Sequence, residues 1–328
     1  MPGTLMLFFL VFCAAFALTW SMDACARSRG VLFERGVTLV GGVAVASALV
    51  LVFMCGRFFS NPGFGRIEVI GSWSLAVLIF GLWDDWKSSS VLQKFFWQFI
   101  CAAGLVASGI STHVPFLGDV GNLLFSFVWI VGLTNALNLL DVSDGVCSGA
   151  VLASCAGMAL LAFHAGTMDI FFAASGLGAG VAGFLFFNIP PAKVYLGNAG
   201  SHFAGFLLAA LSLSLVGDAS RLSMGIGVLM VFWLPILETC CLIFFRLKKR
   251  ISPFNKTNDH LALRFAACRL TRLQVWGAMS ALAVFFALVG VLVERFFSVG
   301  LTFMIFLALG GVTIVTVGLL FMMEEHGA

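Results

Sequence analysis

Two adjacent aspartates, Asp84 and Asp85, stop an apolar run in GLWDDWKSSS, residues 81–90. Side by side at the C-terminal end of a helix, two anions repel each other and meet the unfavourable end of the helix dipole. Something positive has to compensate, either Lys87 or a divalent cation. A second acidic pair, Asp141 and Asp144, lies in NALNLLDVSDGV, three residues after Asn138. If that segment is helical, the spacing places both carboxylates on one face. Carboxylates with a hard cation such as Mg²⁺ form a familiar combination, in which the metal bridges protein acid and substrate phosphate. The anion side is FNIPPAKVYLGNAGSHFAGF. Pro190 and Pro191 break any helix after Asn188, Lys193 supplies a point charge, and Gly197 and Gly200 flank Asn198 where a new helix begins. Backbone N–H groups at such a start attract phosphate. A last group, Asp259, His260 and Arg264 in SPFNKTNDHLALRF, places His260 and Arg264 four apart. Together these segments describe a metal–diphosphate site. His202, just past the phosphate loop, is a lesser candidate.

The elements that must carry these residues are membrane helices. Of 328 residues, 61% are hydrophobic and only 10% charged, against about 25% charged in an ordinary soluble domain; the mean hydropathy is +1.09. No water-soluble core hides that much apolar surface, so the solvent is lipid. Apolar runs near 4–21, 37–57, 68–83, 95–111, 119–138, 145–165, 168–188, 200–217, 224–245, 275–293 and 299–321 have roughly the length a span requires, about 20 residues. The runs are continuous rather than alternating, which excludes a barrel. The expected fold is all-α: a polytopic membrane protein of ten to eleven spans, a single domain over 1–328 with one long basic loop at 246–274.

The segments 22–36, 84–94, 139–144, 189–199 and 246–274 hold fourteen Lys and Arg, whereas the opposite set and its borders hold only Arg57, Arg66, Arg221 and Arg295. The positive-inside bias makes the first set cytoplasmic, with the N-terminus outside and the C-terminus inside. RLKKR at 246–250 also suits contact with anionic lipid. ACA at 24–26 resembles a cleavage site, but no Lys or Arg precedes the first apolar run, as a signal peptide's would; the run reads as the first span. The nine cysteines include no CxxC and read as small buried hydrophobes. Glu68, Asp119, Asp169, Asp218 and Glu294 read as solvated helix ends on the outer face. The acids gather at one membrane face instead of the midplane, which argues against a transporter. Nothing points to a nucleic-acid partner.

Four of these segments, in this order, resemble the polyprenyl-phosphate N-acetylhexosamine-1-phosphate transferases, the membrane enzymes of glycosyltransferase family 4 that start bacterial lipid-linked glycans. GLWDDWKSSSVLQKFFWQ is similar to the family's acidic-pair motif, NALNLLDVSDGV to its Asn-rich DG–DG motif, FNIPPAKVYLGNAGSHFAGF to its PA-x-x-x-x-GD-x-GS motif, and SPFNKTNDHLALRF to its histidine-bearing loop. The resemblance implies a bacterial inner-membrane enzyme. In its reaction a polyprenyl (undecaprenyl) phosphate attacks the β-phosphorus of a UDP-sugar, with Mg²⁺ or Mn²⁺ as cofactor, leaving a polyprenyl-diphospho-sugar and UMP. By the same carry-over Asp84, Asp85 and Asp144 are catalytic, and with Asn198 they form the metal set. Asn138, Asp141 and Asn188 orient substrate, Lys87, Lys94 and Lys193 neutralise phosphate, and His260 and Arg264 grip the diphosphate or the sugar.

Three positions depart from the pattern. Asn198 stands where an aspartate is usual, Val142 where the first DG glycine is usual, and Leu263 where a second histidine is common. Asn keeps an oxygen ligand but loses a full charge, so a second reading is a homologue of weak or lost activity that binds lipid phosphate or nucleotide as an assembly partner. The sequence names neither the sugar nor the pathway, and it leaves a homodimer open.

Overall fold

The computed structural model describes residues 2–34, 36–57, 65–114, 117–219, 221–255, 257–296, 298, 300–301, 303–305 and 307–311. In chain order the helices are α1 (Pro2–Arg29), α2 (Gly41–Arg57), α3 (Gly65–Lys87), α4 (Val91–Ala107), α5 (Gly118–Leu140), α6 (Val146–Ala165), α7 (Met168–Asn188), α8 (Gly197–Ala219), α9 (Leu222–Val231), α10 (Trp233–Lys248), α11 (Leu261–Ala267) and α12 (Arg272–Phe296). Ten of the eleven expected spans fall on these helices; most of the run at 299–321 lies outside the described residues, as do Arg35, Lys256 and the C-terminal tail.

Among the described residues, seven helices are long and apolar enough to cross a membrane by themselves. The 23 residues of α3, α5 and α8 reach roughly 35 Å at 1.5 Å per residue, enough for a hydrocarbon core of about 30 Å. The expected span at 224–245 is not one rod. It breaks at Phe232 into α9 and α10, which meet at 67° and count as an eighth crossing only if taken together. Pro235 sits in the first turn of α10, where a missing N–H costs least, so the second rod starts there. Two further apolar helices, Gly41–Leu51 and Val91–Ala107, are shorter. This is a multi-pass, all-α membrane protein. Among the described residues the strands form a single hairpin, β1 (Phe33–Glu34) and β2 (Val37–Thr38), which turns at Gly36 with φ +80°.

α8 is the axis of the bundle, buried along nearly its whole length. Small residues let its neighbours come close, as lipid-embedded packing requires. A methyl group on Gly81 of α3 would lie 2.6 Å from Ala199 Cα, and one on Gly42 of α2 would lie 2.2 Å from Gly200 Cα. Those contacts bring the C-terminal end of α3 and the N-terminal end of α2 against the first turn of α8. The hairpin joins the same end: Tyr195 N–H donates to Thr38 O (2.8 Å), and Gly41 and Gly42 N–H donate to Tyr195 O and Leu196 O (3.1 and 3.0 Å). At the far end Arg66 clamps Asp169 and Asp218, each at 2.7 Å, tying the starts of α3 and α7 to the end of α8. Arg221 meets Glu294 at 3.4 Å. Asp169, Asp218 and Glu294, read as solvated ends, are thus ion-paired staples.

Candidate active site

The adjacent aspartates resolve their repulsion by pointing to different partners. Asp84, only 2% exposed, accepts the Ser89 N–H at 2.6 Å through Oδ1 and meets Lys94 Nζ at 2.6 Å through Oδ2. Lys94 comes from the first turn of α4, whose start is fixed by a capping box between Ser90 and Gln93. Asp85 accepts the N–H groups of Asn198 (2.8 Å) and Ala199 (3.0 Å). It caps α8 and neutralises the positive end of that helix. Gly197 has φ +75°, and a methyl group there would lie 2.7 Å from Asp85 Oδ2, so both backbone shape and space require glycine.

The second acidic pair also diverges. α5 ends at Leu140, and Asp141 is its C-cap, outside helical geometry; residues 141–145 form turns. The expected shared face is therefore absent. Asp141 takes the Gly197 N–H, and burial, followed by the charges of Asp85 and Glu34, pushes its carboxyl up to about 7. Asp144 accepts the Ala192 N–H at 3.2 Å and stands 3.5 Å from Arg272 at the start of α12. The expectation that the α8 start offers free N–H groups to phosphate is corrected by these contacts: Asp85 and Asp141 already occupy them, because close packing of α3 on α8 places the chain's own anions there.

Asn198 sits between its neighbours. Its Oδ1 accepts from Asn138 Nδ2 at 2.9 Å, and the same Nδ2 reaches Ser201 Oγ at 2.9 Å; the Asn198 side chain is also bonded to Asp85. Asp84, Asp85, Lys94, Asn138, Asp141 and Asn198 therefore form one cluster on α3, α4, α5 and α8. The other expected site residues lie around it. Asn188 is buried and occupied at both ends, accepting from Ser148 Oγ (2.7 Å) and donating to Val194 O (2.9 Å), so it holds the loop in shape. Lys87 lies over the Trp83 and Trp86 rings at 4.7 and 4.9 Å, away from the acids beside it in sequence. Lys193 is exposed, while its backbone carbonyl accepts from Arg27 at 2.9 Å. Arg264 is buried over Phe245, 3.7 Å from the ring centroid, and bonded to Asp259 at 3.0 Å. His260 meets Glu238.

The expected metal set does not form a resident cage. Among the described residues no three His, Cys, Asp or Glu side chains group to hold an ion. Asp84, Asp85, Asp144 and Asn198 each already carry a protein donor, but a carboxylate or amide oxygen has a second lone pair, so these oxygens keep acceptor capacity.

Sequence reasoning missed Glu238, which is hidden in an apolar run. It also passed over Arg272, Ser201, and the Gln98–Asn135 pair, in which Asn135 Nδ2 donates to Gln98 Oε1 at 2.6 Å. Buried polar side chains inside a span were the signal available for Glu238 and Gln98. His202 is fully buried, and neither ring nitrogen has a hydrogen-bond partner among the described residues; Lys94 and Asp84 are the charges that act on it. A groove of about 610 Å³, lined by Leu92, Gln93, Phe95, Phe96, Phe99 and Val131, flanks Lys94 on the outer side of α4 and α5.

Residues 68–216, which include the whole cluster, match the pattern of glycosyl transferase family 4. The chain is 29% identical over 232 residues to a probable undecaprenyl-phosphate N-acetylglucosaminyl 1-phosphate transferase of Bacillus subtilis (strain 168), covering 67% of this chain and 64% of that protein. It is 30% identical over 212 residues to a phospho-N-acetylmuramoyl-pentapeptide-transferase of Streptococcus pneumoniae serotype 19F (strain G54). It is 38% identical over 210 residues to the protein of that name in strain CGSP14; both matches cover 59% of this chain and 64% of the relative. The chain thus spans 64% of the length of these relatives.

Proposed function

We propose that the protein transfers a sugar-1-phosphate from a UDP-sugar to polyprenyl phosphate, giving a polyprenyl-diphospho-sugar and UMP. The observation that carries this reading is the pair of buried Asp84 and half-buried Lys94 between the acid–amide cluster and an apolar groove. A lipid phosphate needs that combination: an apolar channel for its chain and, at the lip, a cation for its head. The name of the Bacillus subtilis relative supports an undecaprenyl-phosphate acceptor and a transferred sugar 1-phosphate. The sugar is an N-acetylhexosamine in this reading, which the relatives' names favour without selecting one.

Lys94 exchanges Asp84 for the incoming phosphate, and Asp84 is then free to accept a proton from a phosphate monoester, whose second pKa is near 6. A lipid phosphate oxygen forms a bond to the β-phosphorus while the bond from that phosphorus to the bridging oxygen breaks. UMP leaves with the electron pair. Asp85 and Asp141 hold the α8 start in place, and the Asn138–Asn198 amides present neutral donors and acceptors to the nucleotide side. Positioning of this kind supplies most of the catalysis in phosphoryl transfer. A divalent cation, Mg²⁺ or Mn²⁺, would be held by the remaining lone pairs of Asp85, Asp144 and Asn198 and would supply charge neutralisation to the diphosphate.

The site end carries Arg27, Arg29, Lys94, Arg246, Lys248, Lys249, Arg250 and Arg272, against Arg66, Arg221 and Arg295 at the far end. This supports a cytoplasmic site in a bacterial inner membrane. The experiment is a panel of radiolabelled UDP-N-acetyl sugars with purified protein, undecaprenyl phosphate and Mg²⁺. A lipid-linked product from at least one sugar is expected; none from any sugar rejects the reading. One observation favours the second reading, an assembly partner of weak activity: Asn198, a neutral residue, is already held by Asn138 and Asp85. The same panel separates the two.

A further inference from the structure

Glu238 lies in the second turn of α10, within WLPILETCCLIFF, and is 1% exposed. A carboxylate buried in an apolar helix is costly unless it is paired and hydrogen-bonded. Its partners come from the long loop. Oε1 is 2.8 Å from His260 Nδ1, and Oε2 accepts the Leu261 N–H at 3.1 Å. One carboxylate therefore fixes both the imidazole and the first turn of α11, for which His260 is the N-cap. The loop around it is tied down independently: Lys249 meets Asp259 at 2.5 Å, Arg264 bonds Asp259, Arg246 bonds Thr257 at 3.1 Å and also Pro253 O, and Phe254 packs edge-on to Phe95 beside Lys94, centroids 5.7 Å apart. His260 is thus held against the bundle on a braced loop that reaches the Lys94 side of the cluster.

We infer that Glu238 is a positioning residue for the transfer reaction, acting through His260. The inference rests on the transferase reading above. An ionised carboxylate only accepts hydrogen bonds, so Glu238 selects the ring form protonated at Nδ1. Nε2, which has no hydrogen-bond partner among the described residues, is left for the substrate. Donation to an anionic phosphate oxygen requires a proton on Nε2 as well, and Glu238 is the counter-charge for that doubly protonated ring. The ligand chemistry at Nε2 is therefore a phosphate oxygen of the diphosphate, and the carboxylate beneath sets the ring's angle and charge.

Two measurements on the full-length protein in nanodiscs test this. The first needs no activity: ¹⁵N spectra of protein labelled only at histidine, with the His260 signals assigned by their loss in His260→Gln. The wild type is expected to show a protonated, strongly hydrogen-bonded Nδ1, and Glu238→Gln is expected to shift that signature. A wild-type ring protonated only at Nε2, or one unchanged in Glu238→Gln, overturns the pairing. The second is kinetic. Glu238→Gln is expected to lower kcat about 10- to 100-fold, the range typical of partners that orient a functional imidazole, with little change in KM for the UDP-sugar, and Glu238→Asp is expected to recover part of the loss. In a His260→Gln background the Glu238→Gln change is expected to cost almost nothing more, since both act as one unit. Independent, multiplying losses would mean a purely structural carboxylate and overturn the inference. A wild type without transferase activity would instead sink the transferase reading, and the ring signature would still decide the pairing.

Discussion

Replacing Asp85 by alanine removes the cap of α8 without touching the ion pair of Asp84. The Asn198 and Ala199 N–H groups, bonded to Asp85 at 2.8 and 3.0 Å, lose their acceptor at a helix start where Ala199 is completely buried. An unsatisfied buried donor costs about 1–3 kcal/mol, and an N-cap truncated to alanine costs about 0.5–2 kcal/mol. Two donors at the open end of the bundle, where water enters in part, give about 2–4 kcal/mol. At 1.4 kcal/mol per factor of ten, that is a rise of roughly 30- to 700-fold in the opening equilibrium of the first turn of α8. Hydrogen exchange read by mass spectrometry on peptides covering residues 197–203 measures it. Asp85→Asn keeps one acceptor oxygen but aims an amide N–H at the other donor, so it is expected to lie between wild type and alanine. Asp84→Asn is expected to leave these amides protected, because the partners of Asp84 are Ser89 and Lys94. Unchanged protection in Asp85→Ala, or equal loosening in Asp84→Asn, would refute the division of labour between the two aspartates.

Three further outcomes follow from the same contacts. Because the Asp141 carboxyl rises from 3.8 to about 7, the native state keeps a proton that the unfolded chain releases. Its contribution to stability is full below about pH 4, declines across that window and is gone above about 7; Asp141→Asn is expected to flatten that part of a thermal-midpoint profile against pH, and an unaltered profile would count against the burial argument. Lys94→Met strands the buried Asp84 carboxylate and is expected to cost about 3 kcal/mol, near the low end for a broken buried pair, because Lys94 keeps some exposure. The double variant Lys94→Met, Asp84→Asn should recover most of that loss in denaturant unfolding, and equal instability of the two would contradict the pairing. Asn198→Asp places a third carboxylate beside Asp85 and Asp141: thermal melts should show it destabilised without Mg²⁺ and restored by Mg²⁺, whereas the wild type barely responds, and a larger Mg²⁺ response in the wild type would mean that the resident acids hold the ion without the diphosphate.

Much of this architecture could be read from the chain, and the misses have physical causes. Continuous apolar runs located the helices because lipid forces every backbone group into internal hydrogen bonds. They concealed the break at Phe232, since a bend between two apolar rods leaves the hydropathy of the run unchanged. The segments holding Asp84, Asp85, Asn138, Asp141 and Asn198 were visible as polar interruptions, and they do converge. The directions of their side chains were not visible. Asp85 and Asp141 turn to the α8 N–H groups because Gly81 and Gly42 admit a close helix approach, which depends on three-dimensional packing. Lys87 follows its local Trp83 and Trp86 rings instead of the aspartates. Glu238 drew no notice because one acid barely changes the hydropathy of its run, although its partner His260, 22 residues on, was already a candidate.

The proposed transfer chemistry is tested most directly by following each phosphorus of the donor. With a UDP-sugar labelled in turn at the α- and the β-phosphate, and with undecaprenyl phosphate in the same bilayer, attack on the β-phosphorus sends the β label into the lipid fraction and leaves the α label in soluble UMP. An equal yield of the two products is expected, with both lost together in Asp84→Asn. Both labels remaining in the intact nucleotide sugar, or both travelling into lipid, would contradict the account.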